Sequence, residues 1–394
     1  MHPKPLPPED LTHILTHATP AFNGLRNANL FITGGTGFFG HWLLESLLHA
    51  NDHLNLSAKA TVLTRSAAAF QTKSPHIANH PAITLLEGDI RTFPFPEERH
   101  THILHAATDS GGQQASSTPE DLYNSILEGT QHVLNFAKQT LTSPSTSGAP
   151  GPDSRTRVST ASQGVRLLYT STGAVYGRST TLLHTPETYL ETHHPQLPQH
   201  SYEAAKRAAE ILCLSNSSLA SEIRNLKSVP DPALQAVIAR CFAFVGPHLP
   251  LDQHFAIGNF IGAALNNQPI HIKGDGTPRR SWLYMADLAI WLWTLLTQAP
   301  ANTAWNVGSD EGMTIAEAAR LTLETLSSRP ERSAVERPAG WPDNAIQIDG
   351  TPNPAAPLNS YVPDITRATL EMSLKVHIPL PEALRRTAAW QVRL

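Results

Sequence analysis

Thr33-Gly34-Gly35-Thr36-Gly37-Phe38-Phe39-Gly40 lies between a short apolar run, Leu30-Phe31-Ile32, and the segment His41-Trp42-Leu43-Leu44-Glu45-Ser46-Leu47-Leu48. The apolar run reads as a buried strand, and the leucines that follow recur at helical spacing. A glycine-rich turn between a strand and a helix is the context in which a glycine fingerprint signals a dinucleotide site. Gly34 allows the tight turn, Gly37 leaves room for a pyrophosphate against the backbone, and Gly40 lets the helix pack closely on the strand. The free N–H groups at the helix start then face the phosphates. The spacing is G-x-x-G-x-x-G, which alone is equally compatible with a turn that binds nothing, so the remainder of the chain has to decide.

At 394 residues the chain exceeds one average domain and can bury a large core. A formal net charge of −4 leaves no basic footprint, which argues against nucleic acid as the main partner. The two cysteines, Cys213 and Cys241, are too few for a framework of bridges and match no zinc spacing, so no metal is expected. His13 and His17 stand one helical turn apart without an evident third ligand. The N-terminal stretch lacks the long apolar core of a secretory signal, and the greasiest run, residues 288–296, is too short to span a bilayer. A cytoplasmic protein without membrane association is expected.

Along the chain, residues 1–26 read as an extension with a short helix over 10–17. Strands are predicted at 30–32, 60–64, 83–86, 102–107, 165–172 and 236–244, with helices after the glycine turn, at 119–139 and at 202–215. A Ser/Thr/Gly/Pro-rich stretch at 140–164 reads as a mobile insert. Strands alternating with helices predict an α/β protein with a Rossmann-type, doubly wound parallel sheet over 27–247. Residues 248–394 mix helical and extended segments, with a Pro-rich break at 329–357, and read mainly as a smaller α/β substrate-binding lobe. Ligands of such sheets bind at the carboxyl ends of the strands, where the glycine turn, Asp89, Ala106, Ala107 and Thr172 all fall.

Tyr202-Glu203-Ala204-Ala205-Lys206 sets a phenol and an ammonium one helical turn apart on one face. A phenol with its reference pKa of about 10 is a poor base at neutral pH. A nearby ammonium favours the phenolate, and Lys206 could also hold a nicotinamide ribose. A hydroxyl at the end of the fifth strand, Thr172, could bind the same substrate oxygen. Together they form a unit for moving a proton beside a hydride acceptor.

Several further segments point the same way: GDI at 88–90, HAA at 105–107, YTSTGAVYG at 169–177, SYEAAK at 201–206, RCFAFVGP at 240–247, GDGTPRRSWLYMADLA at 274–289 and NVGS at 306–309. With TGGTGFFG at 33–40 they fall in the order seen in the extended short-chain dehydrogenase/reductase family, and the chain resembles its nucleotide-sugar epimerase/dehydratase branch. The resemblance implies an enzyme using NAD(P), with Tyr202 as acid/base, Lys206 as its partner and Thr172 in the place of the catalytic Ser or Thr. It implies a cofactor site of Gly34, Gly37, Phe38, Phe39, Gly40, Arg65, Asp89, Ile90, Ala106, Ala107, Tyr202 and Lys206, with Asp89 and Ile90 along the adenine. Arg280, beside Arg279, matches the arginine that meets the nucleotide-sugar diphosphate, and Thr172 would contact the sugar. A homodimer built from the helices at 119–139 and 202–215 is implied as well.

Three departures narrow the expectation. Dehydratases of this branch resemble S-T-D-E-V-Y-G and decarboxylases S-T-S-E-V-Y-G, whereas this chain has Ser171-Thr172-Gly173-Ala174-Val175-Tyr176-Gly177. Gly173 and Ala174 carry no titratable group, which leaves epimerisation through a transient keto sugar, or net redox at a sugar carbon, as the expected reactions. A cofactor-binding regulator without turnover is the third reading, and it has no use for Thr172, Tyr202 and Lys206. Next, NAD-preferring relatives end the second strand with an acid, whereas here Thr64-Arg65 stands there. Arg65 would attract a 2′-phosphate, stack on adenine or face solvent; the first favours NADP. Finally, Trp282, Ala286 and Tyr361-Val362-Pro363-Asp364 differ from the common versions and are expected to shape sugar selectivity.

Overall fold

The computed structural model describes residues 4–107, 118–142, 164–177, 180–189, 200–222, 234–253, 255–327 and 345–392. Most of the insert expected at 140–164 and much of the Pro-rich break at 329–357 lie outside them.

Seven strands form the central sheet: β1 (Asn29–Thr33), β2 (Lys59–Thr64), β3 (Ile83–Glu87), β4 (His102–His105), β5 (Val165–Thr172), β6 (Leu234–Cys241) and β11 (Thr303–Val307). They run in the order β11-β6-β5-β4-β1-β2-β3, all parallel. This is the Rossmann-type, doubly wound sheet predicted from the sequence. A sheet covered on both faces needs strands that are apolar throughout, with successive side chains entering opposite cores. In β1, Leu30 and Ile32 enter one core and Phe31 the other; in β6, Val237 and Ala239 oppose Ala236 and Ile238.

The first core is closed by α1 (Pro8–Asn23), α2 (Phe38–Leu54) and α8 (Met285–Gln298); the second by α5 (Pro119–Thr142) and α6 (Ser201–Glu222). α1 is twice the length predicted, and it continues through Pro20, which sits inside the helix. Ile14, Ala18, Ala21 and Phe22 are buried on it, and the buried Asp10 carboxylate accepts bonds from Tyr284 Oη (2.6 Å) and Arg386 Nη1 (2.6 Å). Residues 8–23 are thus part of the core rather than an appendage.

Between β2 and β3 lie two short helices that the sequence reading did not predict, α3 (Ala67–Lys73) and α4 (Pro75–Ala78). Ser66 caps α3 by accepting the Ala69 N–H. Beyond β6, short strands pair across long sequence separations. β7 (Phe244–Val245) pairs with β10 (Leu283–Tyr284), and β8 (Ile270–Ile272) with β13 (Ile346–Ile348). β9 (Arg279–Arg280) lies between β12 (Met313–Thr314) and β14 (Ser360–Tyr361). Helices α7 (Ala256–Leu265), α9 (Ile315–Ser327), α10 (Thr366–Met372) and α11 (Leu380–Val392) complete this part. Thr314 and Glu317 form a reciprocal capping box that starts α9. The chain beyond residue 247 also returns to the sheet, giving its edge strand β11 and α8, which is buried from Met285 to Leu296.

Candidate active site

β1 has β2 on one side and β4 on the other, so the direction of winding reverses between β1 and β4. A crevice opens there at the carboxyl ends of the strands. In this protein it is a cavity of about 840 Å³, running from Gly34, Gly37 and Arg65 past Ala106 and Ala107 to Thr172, Tyr202 and Lys206, and on to Arg280, Trp282 and Tyr361. Phe38, Phe39, Asp89 and Ile90 also line it, so every residue predicted for catalysis, cofactor or diphosphate except Gly40 faces one space. Of those expected to shape sugar selectivity, Trp282 and Tyr361 line it and Ala286, Val362, Pro363 and Asp364 do not.

Gly40 acts from behind the wall. A Cβ there would lie 2.1 Å from Gly35 O, so only glycine lets α2 approach the turn. Gly34 has φ +73°, and a Cβ on it would meet Ala106 O at 2.6 Å. The side chain missing at 34 is what brings the ends of β1 and β4 together. Thr33 fastens them: its Oγ1 bonds His105 Nδ1 (2.8 Å) and accepts the Ala107 N–H (3.1 Å). His105 Nε2 reaches Thr130 Oγ1 (3.1 Å). Burial, aided by the charge of Lys206, pushes the His105 pKa down to about 3, which leaves a neutral imidazole as a structural bridge. A tight glycine cradle at a helix start, opening into a cavity of this length, fits a dinucleotide.

Asp89 Oδ1 accepts bonds from the Arg91 backbone N–H and Nε, both at 2.9 Å, and these hold its carboxyl below the usual range. Arg65 is exposed at the end of β2 on the cavity rim.

At the far end, Lys206 is buried and its Nζ donates to Thr170 O (2.8 Å) over the ring of Tyr169. Desolvation lowers its pKa to about 8. Tyr202 does not show the low pKa expected from a neighbouring ammonium. Desolvation pushes its phenol up, the nearby Tyr361 adds to this, and a hydrogen bond with Thr172 only partly offsets it. Sequence spacing puts Tyr202 and Lys206 on one helix face, but the Thr170 carbonyl decides where the ammonium points. Thr172 Oγ1 in turn lies 3.2 Å from Tyr361 Oη and accepts the Ala174 N–H at 3.2 Å.

The adjacent arginines diverge. Arg280 lines the cavity, with Nη1 donating to Arg279 O (2.7 Å) and Asn359 Oδ1 (3.3 Å). Arg279 turns to Gly312 O instead. Phe242 is a lining residue to which the sequence reading gave no role, and Tyr361 is one expected only to shape sugar selectivity. Tyr361 stood in a stretch given a bearing on sugar selectivity but no contact, and Phe242 inside a motif whose aromatic reads as ordinary core.

Fold and cavity define a dinucleotide-dependent enzyme of the Rossmann type with a Tyr-x-x-x-Lys helix. Residues 30–308 match the family described as "NAD dependent epimerase/dehydratase family", and the chain belongs to that family. Among curated relatives it is 25% identical over 373 residues to UDP-glucuronic acid decarboxylase 1 of Arabidopsis thaliana, spanning 94% of this chain and 71% of that one. Its fold is similar to that of an epimerase from Methanothermobacter thermautotrophicus (TM-score 0.69, 21% identity, 95% of each chain). It is also similar to that of the dTDP-glucose 4,6-dehydratase DesIV of Streptomyces venezuelae solved with NAD bound (TM-score 0.66, 20% identity, 92% of this chain and 96% of that one). Among the described residues no helix is long and apolar enough to cross a membrane, and no cluster of His, Cys, Asp and Glu could hold a metal ion.

Proposed function

We propose that the protein is a nucleotide-sugar epimerase working through a transient keto sugar. The observation that carries this is Gly173. A Cβ there would lie 2.7 Å from the Phe242 ring, so the place where an acidic side chain would enter is filled by an aromatic. With Ala174 next to it, the stretch offers no carboxyl for removing water or carbon dioxide, even though the relative quoted above is a decarboxylase. What the site does offer is a phenol, a hydroxyl and a buried ammonium. A bound nicotinamide supplies a hydride acceptor. Tyr202 takes the proton of the sugar hydroxyl and later returns it, Thr172 holds the same oxygen, and the Lys206 charge favours the deprotonated phenol when it forms. Arg280 suits the substrate diphosphate, because a planar guanidinium matches that anion.

The test is a panel of UDP-, dTDP-, GDP- and CDP-sugars with and without added NAD or NADP, with products identified by NMR. Isomerised sugar without net change in reduced nicotinamide is the expected result. Stoichiometric cofactor turnover selects the second reading, a keto-sugar-nucleotide reductase or dehydrogenase, which the same residues would serve. Tight cofactor binding with no product throughout would leave a regulator.

Arg65 supports NADP over NAD, since it stands where a carboxylate would repel the 2′-phosphate. Arg65→Asp is expected to weaken NADP roughly tenfold or more relative to NAD, because it removes a charge-assisted contact and adds repulsion. Equal changes in both dissociation constants would take Arg65 out of cofactor choice. A homodimer through α5 and α6 is supported by Ile211, an aliphatic side chain on α6 that is 61% exposed. Light scattering that gives a monomer at micromolar concentration would overturn it.

A further inference from the structure

Tyr361 comes from the far end of the chain and enters the centre of the site. It stands on β14, paired in parallel with β9 so that Tyr361 is the register partner of Arg280. The Arg280 guanidinium lies over the Tyr361 ring, 5.7 Å from its centroid, and the ring's hydroxyl lies 3.2 Å from Thr172 Oγ1. One flank of the ring packs on Phe242, with centroids 4.8 Å apart. The phenol therefore stands beside both the cation that suits a diphosphate and the hydroxyl that suits the reacting oxygen. In a nucleotide sugar, the pyranose ring is what joins those two groups.

The strand is held firmly. Ser360 Oγ donates to Leu183 O (2.6 Å), the Thr185 N–H to Val362 O (2.9 Å) and the Asp364 N–H to Thr185 O (2.9 Å). Asn306 Nδ2 reaches both Thr185 O (2.8 Å) and Asp364 O (3.1 Å). The segment after Thr172 and the segment carrying Tyr361 are thus tied into one unit, which fixes the hydroxyl before any ligand arrives.

We propose that Tyr361 is a sugar-binding residue whose hydroxyl, together with that of Thr172, holds a ring hydroxyl of the hexose in a nucleotide-hexose substrate. This rests on the nucleotide-sugar reading above and adds to it the group that recognises the sugar. Tyr361 lines the cavity, and its O–H supplies polar contact where the Gly173 and Ala174 side chains supply none. Desolvation holds the phenol at about 12, so it stays protonated at neutral pH and can donate.

The experiment compares UDP-glucose with UDP, by calorimetry on protein loaded with reduced nicotinamide cofactor, in the wild type and in Tyr361→Phe. The measurements are repeated with dTDP-glucose and dTDP. Phenylalanine keeps the ring against Phe242, so only the hydroxyl is lost. The expected result is a dissociation constant for the nucleotide-hexose raised roughly fivefold to tenfold, the effect of one neutral hydrogen bond, with that of the free nucleotide unchanged. A purely structural role for Tyr361 would move both constants or neither. An unchanged ratio of the two overturns the proposal and leaves the epimerase reading standing. Loss of discrimination in an enzyme that turns over no sugar supports the proposal and overturns the epimerase reading. A wild type that binds none of these probes, nor any GDP- or CDP-sugar of the panel, overturns both.

Discussion

Tyr202→Phe is expected to lower turnover by at least about a hundredfold, the scale of losing a positioned acid/base, with cofactor affinity largely kept. The substitution removes one oxygen from a half-buried ring and leaves its packing in place. Thr172 can still bind the sugar oxygen but is too weak a base to take its proton at neutral pH. The measurement is single-turnover and steady-state conversion of whichever sugar nucleotide the panel identifies, beside cofactor titration of the same variant. Near-normal conversion would rule out Tyr202 as the proton-transfer group and shift attention to Tyr361, the other phenol beside Thr172.

Glu210→Ala is expected to cost about 3–5 kcal/mol of folding stability, the range for removing one partner of a buried ion pair. Glu210 is buried on α6 and receives the Arg240 guanidinium through two nitrogens, Nε at 3.1 Å and Nη2 at 2.7 Å. Arg240 Nη1 donates on to Tyr176 Oη (2.8 Å), which donates to Asn306 Oδ1 (2.8 Å). Without the carboxylate, a guanidinium whose pKa Glu210 holds above its ordinary value is left in place with no counter-charge. The network also joins the turn after Thr172 to the end of β11, so sugar binding is expected to weaken with stability. Denaturant unfolding measures the change. A loss below about 1 kcal/mol would mean that the pair behaves like one at the surface.

Much of the cofactor half was legible before folding. The glycine turn, the strand periods and the Tyr-x-x-x-Lys spacing are local, and each constrains backbone within a few residues. The central strands fall close to their predicted places, and the segments expected at the sheet edge meet at one cavity. α1 runs past its predicted end at residue 17 and through Pro20, because packing of its buried apolar residues outweighs the local break. The short strands that carry Arg280 and Tyr361 were not foreseen, since two-residue strands have no period to read and pair with partners distant in sequence.

The sequence by itself determined that a dinucleotide-binding sheet would form and that a phenol and an ammonium would share one helix face, because glycine geometry and helical periodicity act over a few residues. It also determined that positions 173 and 174 carry no acid. Only the tertiary structure decided that Phe242 fills the space beside Gly173, that Arg280 rather than Arg279 lines the cavity, and that Lys206 points at the Thr170 carbonyl. It alone placed the Tyr361 hydroxyl on Thr172, across 189 residues of chain. Contacts of that separation arise when strands pair and the core closes, and no local pattern records them.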